Sequence, residues 1–311
     1  MRRFVFAALI LCAGQVSAQE RVEMTTCQQG WSAVASGIAP EGPDAQMSVT
    51  DDGWCLIDNL TLQMDHNSSF KVETLRWRAS DMARVVEQGL PPRSLEIVGV
   101  GFSFPAQTGD PVLDYLLELQ SSVAESGFGL SVRWDGVQNA VFVDELYVDF
   151  FAGNRIEATA RVDDVDLTDQ TTMQISVGSM GLRDLVVTTQ LAGWFETFVA
   201  MPLGPALLNS EGAAPEVQVR TIQEQAVEFV NNIPDSIVPP TSREALGAFI
   251  QDLPEPRGTA RLQLSANPPL GAARMTPFAL LGRQPTMDEI VELGLEGVDL
   301  LFTWTPMEDG K

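Results

Sequence analysis

Segments in which apolar and polar side chains strictly alternate recur along this chain, and no other feature narrows its fold so far. Phe128, Leu130, Val132 and Trp134 alternate with Gly129, Ser131, Arg133 and Asp135, and Ile156, Ala158, Ala160 and Val162 alternate with Arg155, Glu157, Thr159 and Arg161. The pattern returns at Ala260, Leu262, Leu264 and Ala266, and at Val298, Leu300, Phe302 and Trp304. Side chains project to opposite faces with a period of two, so each segment reads as a strand with one dry face and one wet face. Strands wet on one side belong to antiparallel sheets, whereas parallel strands buried on both faces read as continuous apolar runs. Leu130, Val132, Leu262, Leu264, Leu300 and Phe302 are therefore expected on one buried face, with Arg133, Arg161 and Gln263 on the other.

Around Asp163 and Asp164 the apolar phase slips to Val165 and Leu167, which predicts a bulge or bend. The run 140–151 is apolar on both faces apart from Asp144 and Glu145, so it is expected to be central and covered on both sides. Further strands are expected at 54–57, 70–77, 95–104, 173–177 and 185–191, giving roughly nine to eleven strands in one large curved sheet. Several are long enough to span about 30 Å.

Helices interrupt the strands. Asp110 caps a helix opened by Pro111 and running to about Glu125, and Ser80 caps a shorter one that stops at Gly89. Others are expected over 215–231, 242–253 and 286–293. Strands and helices without a regular βαβ alternation indicate an α+β fold. The stretch 202–215 contains Pro202, Gly204, Pro205, Gly212 and Pro215 and reads as a boundary. It divides a strand-rich part with two helices, 19–201, from a helix-rich and then two-stranded part, 202–311, that is expected to share the same sheet.

The first residues read as an export signal: Arg2 and Arg3, an apolar run from Phe4 to Ala13, then Val16-Ser17-Ala18 with small residues where a signal peptidase cuts. The run is too short to span a bilayer, so cleavage after Ala18 and release into the periplasm are expected, with no remaining membrane anchor. Leu11 is too large for a lipoprotein peptidase to accept before Cys12. Signal removal leaves Cys27 and Cys55, an even pair in an oxidising compartment, and a disulfide between them is expected. It would hold an N-terminal stretch that otherwise looks weakly fixed.

The chain carries 19 Lys and Arg against 42 Asp and Glu, a formal net charge of −23. Such a chain repels phosphate backbones and anionic surfaces at long range, which excludes nucleic acid as a natural partner. Its apolar content excludes intrinsic disorder.

A search for chemistry finds little. His66 is the one histidine, and its setting Asp65-His66-Asn67-Ser68-Ser69 reads as an exposed turn. Gly178-Ser179-Met180-Gly181 lacks the spacing of a nucleophile elbow. Gly99-Val100-Gly101 lacks the third glycine of a dinucleotide loop and reads as a place where something packs against a strand. Zinc cannot be assembled from one His and two oxidised Cys, and no cofactor is expected. Asp163, Asp164, Asp166 and Asp169 form a weak calcium candidate, although their spacing fails the calcium-loop pattern and a solvated acidic hairpin is the plainer reading. A carboxylate-dependent secreted hydrolase is the alternative function, because paired acids are recognised in space and not in sequence.

Gly181-Leu182-Arg183-Asp184-Leu185-Val186-Val187-Thr188-Thr189-Gln190, followed by an apolar helix over 194–201, resembles segments of AsmA-like periplasmic proteins of proteobacteria. Leu262 to Leu270, then a helix, then Val298 to Trp304, is similar in the same way. The resemblance covers about a third of the chain remaining after signal cleavage and carries no catalytic residues. The resemblance implies a curved sheet whose inner face is able to shelter lipid or another apolar chain. The expected function is thus a non-enzymatic binding or envelope-maintenance protein, its partner an apolar ligand or envelope protein, with Leu116, Leu117, Ile222 and Phe229 on covering helices as the groove residues.

Overall fold

The alternating segments pair with their neighbours in sequence, strand after strand, to the end of the chain. The computed structural model describes residues 23–38, 46–63, 69–103, 110–122, 126–209, 212–274 and 293–307, with single positions between the last two. The expected signal segment, His66 and most of the expected helix 286–293 lie outside the described residues. Strands β1 (Gln46–Val49), β2 (Cys55–Gln63), β3 (Ser69–Ser80), β4 (Ser94–Ser103) and β5 (Gly127–Asp135) lead into β6 (Ala140–Asp149), β7 (Arg155–Asp163), β8 (Gly181–Ala192), β9 (Arg257–Gly271) and β10 (Val298–Pro306). They form one open 10-stranded antiparallel sheet in sequence order, and the fold class is α+β. The strands after residue 202 join the same sheet, since β9 pairs with β8.

Helices fill the connections: α1 (Met24–Ile38), α2 (Met82–Gln88), α3 (Pro111–Ser122), α4 (Gln170–Ser179), α5 (Met201–Leu207), α6 (Pro215–Asn231) and α7 (Pro240–Gln251). A π-helical stretch, Glu196–Ala200, runs into α5. The carboxylate of Asp110 accepts the N–H groups of Val112 and Leu113, so the expected cap of α3 is present. α2 is different: it begins after Asp81, and the Ser80 hydroxyl instead accepts the N–H of Ser94 across the β3–β4 pair.

Three expectations are corrected. Residues 173–177 lie in α4 and not in a strand. Their β-branched neighbours favour a strand, but Asp169 accepts the Thr172 N–H while the Thr172 hydroxyl accepts the Asp169 N–H, and this reciprocal cap starts a helix. The run 140–151 is not covered on both sides: Asp144, Glu145 and Leu146 are exposed, and a bulge leaves Asp144 without a partner on β5 and both Asp144 and Glu145 without one on β7. The boundary composition at 202–215 does not break the chain at its start, where α5 carries Pro202 in its first turn and Pro205 within it. The N-terminal stretch that the disulfide was expected to hold starts as a helix, α1, and the Cys27–Cys55 pair joins it to the sheet.

The phase slip at 163–164 is a bend. Asp164 has a left-handed backbone, φ 61°, β7 stops before it, and Val165 turns back under the sheet end. Opposite, Arg183 of β8 is the extra residue in the register with β7. A second phase change crosses β2 to β4, where Asn59 (φ 53°) and Gly101 (φ 67°) are left-handed. It brings Ile57, Leu60, Leu62, Val72 and Leu75 into one buried cluster, against which Trp31 of α1 also packs. Gly99 meets the expectation of close packing, for a Cβ there would overlap the Phe128 ring.

The sulfurs of Cys27 and Cys55 are within bonding distance, with Cα atoms 5.6 Å apart. Both cysteines are buried beside Trp77, so the pair fixes α1 to the face of β2 and β3. At the other end, the β10 edge is closed: Leu300 N–H donates to the Ile237 carbonyl at 2.9 Å and Phe302 N–H to the Ser242 hydroxyl at 3.0 Å. Covering an edge in this way removes a template for unwanted strand pairing.

Candidate functional site

Register across the central strands builds an apolar surface. One row runs Ile97, Leu130, Leu146, Ala158, Val187, Leu262 and Phe302, each beside the next on the adjacent strand. A parallel row runs Leu95, Val132, Val143, Ala160, Leu185, Leu264 and Leu300. Both rows are free of polar side chains from β4 to β10, and the period-two rule puts them on one face.

The opposite face is a lattice of charges. Arg133 pairs with Asp144 at 2.9 Å and lies 3.9 Å from the Phe142 ring centre. Arg155 pairs with Asp149 at 2.7 Å and stacks over Tyr147. Arg161 and Arg183 share Asp163, at 2.7 and 2.8 Å. Burial pushes the Asp163 carboxyl up, but hydrogen bonds from Arg183 and Arg161 outweigh it and hold the group below the ordinary aspartate value. These ion pairs suit water, so the apolar face is the one that needs a cover.

Among the described residues, that cover is incomplete. Helix packing on the strands is concentrated at the two ends of the sheet: α1 lies on β1 and β2, α3 touches β4, and α7 lies on β10. The rings of Phe249 in α7 and of Phe302 and Trp304 in β10 meet at 5.8 and 5.1 Å, so α7 is on the apolar face, as α1 is. Between these walls, the buried hydrophobic side chains of β4 to β8 are, among the described residues, Ala140 and Leu191 only. The remaining apolar floor is half-buried, and Leu146 is 39% exposed. Four strand spacings make the floor from β4 to β8 about 19 Å across.

One end of the floor carries a row of rings. Phe70, Phe102, Phe128 and Phe150 sit at successive strand ends, Phe102 lying 6.2 Å from Phe70, 5.9 Å from Phe128 and 6.1 Å from Phe150. Phe150 continues to Trp194 at 6.0 Å and to Phe198 at 5.7 Å. The indole N–H of Trp194 is buried without a hydrogen-bond partner, a state that costs about 1 to 3 kcal/mol. Beside it Glu196 is ion-paired with Arg257.

The four helix residues expected to line a groove stand on two helices, α3 and α6. Leu116 is 54% exposed on α3, which touches β4, and the side chain of Leu117 lies outside the described residues. Ile222 is half-buried and Phe229 55% exposed on α6, which packs on α7. The apolar floor itself comes from the strands, whose inward residues read in sequence as ordinary core. Cross-strand register is what distinguishes a floor from a core, and single segments do not carry it.

The four aspartates of the calcium candidate have separate local partners. Asp163 is held by its two arginines. Asp164 occupies the bend, and its carbonyl accepts the Ser179 hydroxyl. The Asp166 carboxylate accepts the Thr168 N–H at 2.9 Å, and Asp169 caps α4. Among the described residues, no three His, Cys, Asp or Glu side chains stand together as a metal site. No protein-family model matches the chain, and no curated protein matches it.

Proposed function

We propose that this protein is a non-enzymatic, exported binding protein of the periplasm that shelters a lipid acyl chain on the half-covered apolar floor of its sheet. The observation that carries this reading is the pair of unbroken apolar rows from β4 to β10, walled by α1 and α7 but left half-exposed between them. A surface with no hydrogen-bonding side chains favours a ligand that has none to satisfy there, and each methylene taken from water contributes about 0.8 kcal/mol. A second copy of the chain is a poor cover, because two bodies of charge −23 repel. The Trp194 indole N–H, buried without a partner at the ring-lined end, supports this reading in so far as a ligand acceptor reaching it would satisfy it.

The bonded-distance cysteine pair agrees with an oxidising compartment, and no helix among the described residues is long and apolar enough to cross a membrane.

Protein purified from its native compartment without detergent is expected to release acyl lipid on organic extraction, at near one lipid per chain by mass spectrometry. Val187→Asp, which sets a carboxylate on the floor, is expected to come off the column lipid-free while keeping its fold. Wild-type protein that yields no lipid, or a Val187→Asp variant as loaded as wild type, would refute the assignment.

A further inference from the structure

The chain leaves β8 at the ring-lined end of the floor and enters the π-helical stretch and α5. From Thr197 to Leu208 it carries no charged side chain, in a protein where acids are frequent elsewhere. Glu196, just before it, is turned to Arg257. Phe198, Met201, Leu203 and Leu207 are exposed, Met201 at 76%. Among the described residues, α5 packs on the π-helical stretch that leads into it and on little else. α3 leaves the sheet from the same end, after β4, and it too exposes Val112, Tyr115 and Leu116.

We infer that the 197–208 segment is a docking element for the surface of a zwitterionic lipid bilayer, placed so that the ring-lined end of the floor faces the membrane. The inference rests on the acyl-binding reading only for what passes between membrane and floor. The segment is about 18 Å long as a helix, too short to span a hydrocarbon core of about 30 Å, so it lies in the interface. Exposed Phe, Met and Leu with no charged side chain from 197 to 208 gain from insertion among acyl chains. Binding that needs no basic residues fits neutral headgroups, whereas the overall charge opposes an anionic surface and also a second copy of the chain. Continuity with the floor is direct, since Phe198 contacts both Trp194, at 5.6 Å, and Phe150.

Flotation of the full chain with phosphatidylcholine vesicles tests this. Wild type is expected to float, and Met201→Glu combined with Leu203→Glu is expected to cut the vesicle-bound fraction by at least about tenfold. Both positions are exposed, so the double variant should keep its melting curve and still bind a soluble fluorescent fatty acid. Wild-type protein that stays with the unbound fraction, or a double variant that floats equally well, overturns the inference. So does a wild-type dimer that the double variant abolishes, because the patch is then a self-interface. Wild type that floats but takes up no fatty acid leaves docking standing and removes the acyl-binding reading instead.

Discussion

Replacing Cys27 and Cys55 together by alanine is expected to lower stability by about 3.5 kcal/mol, the chain-entropy value for a closed loop of this length. The two cysteines are 28 residues apart, and both are buried against Trp77. Loss of the bond frees α1, the wall of the floor on the β2 side, while α7 and β10 at the far edge have no part in it. Amide exchange should therefore rise across α1 and β1 and stay unchanged in α7 and β10. A denaturation midpoint that moves by less than the equivalent of about 1 kcal/mol would mean that α1 is held by packing alone.

A second large effect separates core from floor. Ile57 is fully buried in the cluster with Leu60, Val72 and Leu75, so Ile57→Ala is expected to cost about 2 to 5 kcal/mol through lost burial and a residual cavity. Leu146 is also apolar and also on the inner face, but it is 39% exposed, and Leu146→Ala is expected to cost about 1 kcal/mol or less in lipid-free protein. Urea midpoints of the two variants test the contrast. Equal losses would show that β6 is packed as tightly as β2, and the floor would then be ordinary core.

Alternation made most of the sheet legible. β5, β7, β9 and β10 stand where period-two patterns put them, because a strand wet on one face must write that pattern into its own residues. Elements that depend on neighbours were less readable. α1 carries Gly30 and Gly37 and several threonines and serines, a poor helix composition, and it owes its place to Cys55 and the β2–β3 face. α4 carries β-branched residues that suggest a strand, and its cap at Asp169 decides otherwise. β1, four residues long, is an edge strand too short to show a period.

The candidate site was legible in the sequence only in part. Inward Leu and Val suggest an apolar ligand, which remains a proposal, and the sequence reading put the groove on Leu116, Leu117, Ile222 and Phe229, whereas the apolar rows lie on the strands. Amphipathic helices advertise an apolar stripe in sequence, whereas a bare sheet face looks the same as a covered one until it is known which helices lie on it. Here α6 stacks on α7, and the described helices leave the centre of the sheet half-covered.

The central claim is that the β5–β8 face holds an acyl chain, and photolabelling tests it most directly. Delipidated protein is loaded with a fatty acid that carries a diazirine in its chain, irradiated, and mapped by peptide mass spectrometry. Adducts are predicted at Val143, Leu146, Ala158, Ala160, Leu185 and Val187, and to be lost when unlabelled fatty acid competes. Labelling that is absent, that resists competition, or that falls on Arg133, Glu157 and Thr188 of the opposite face would contradict it.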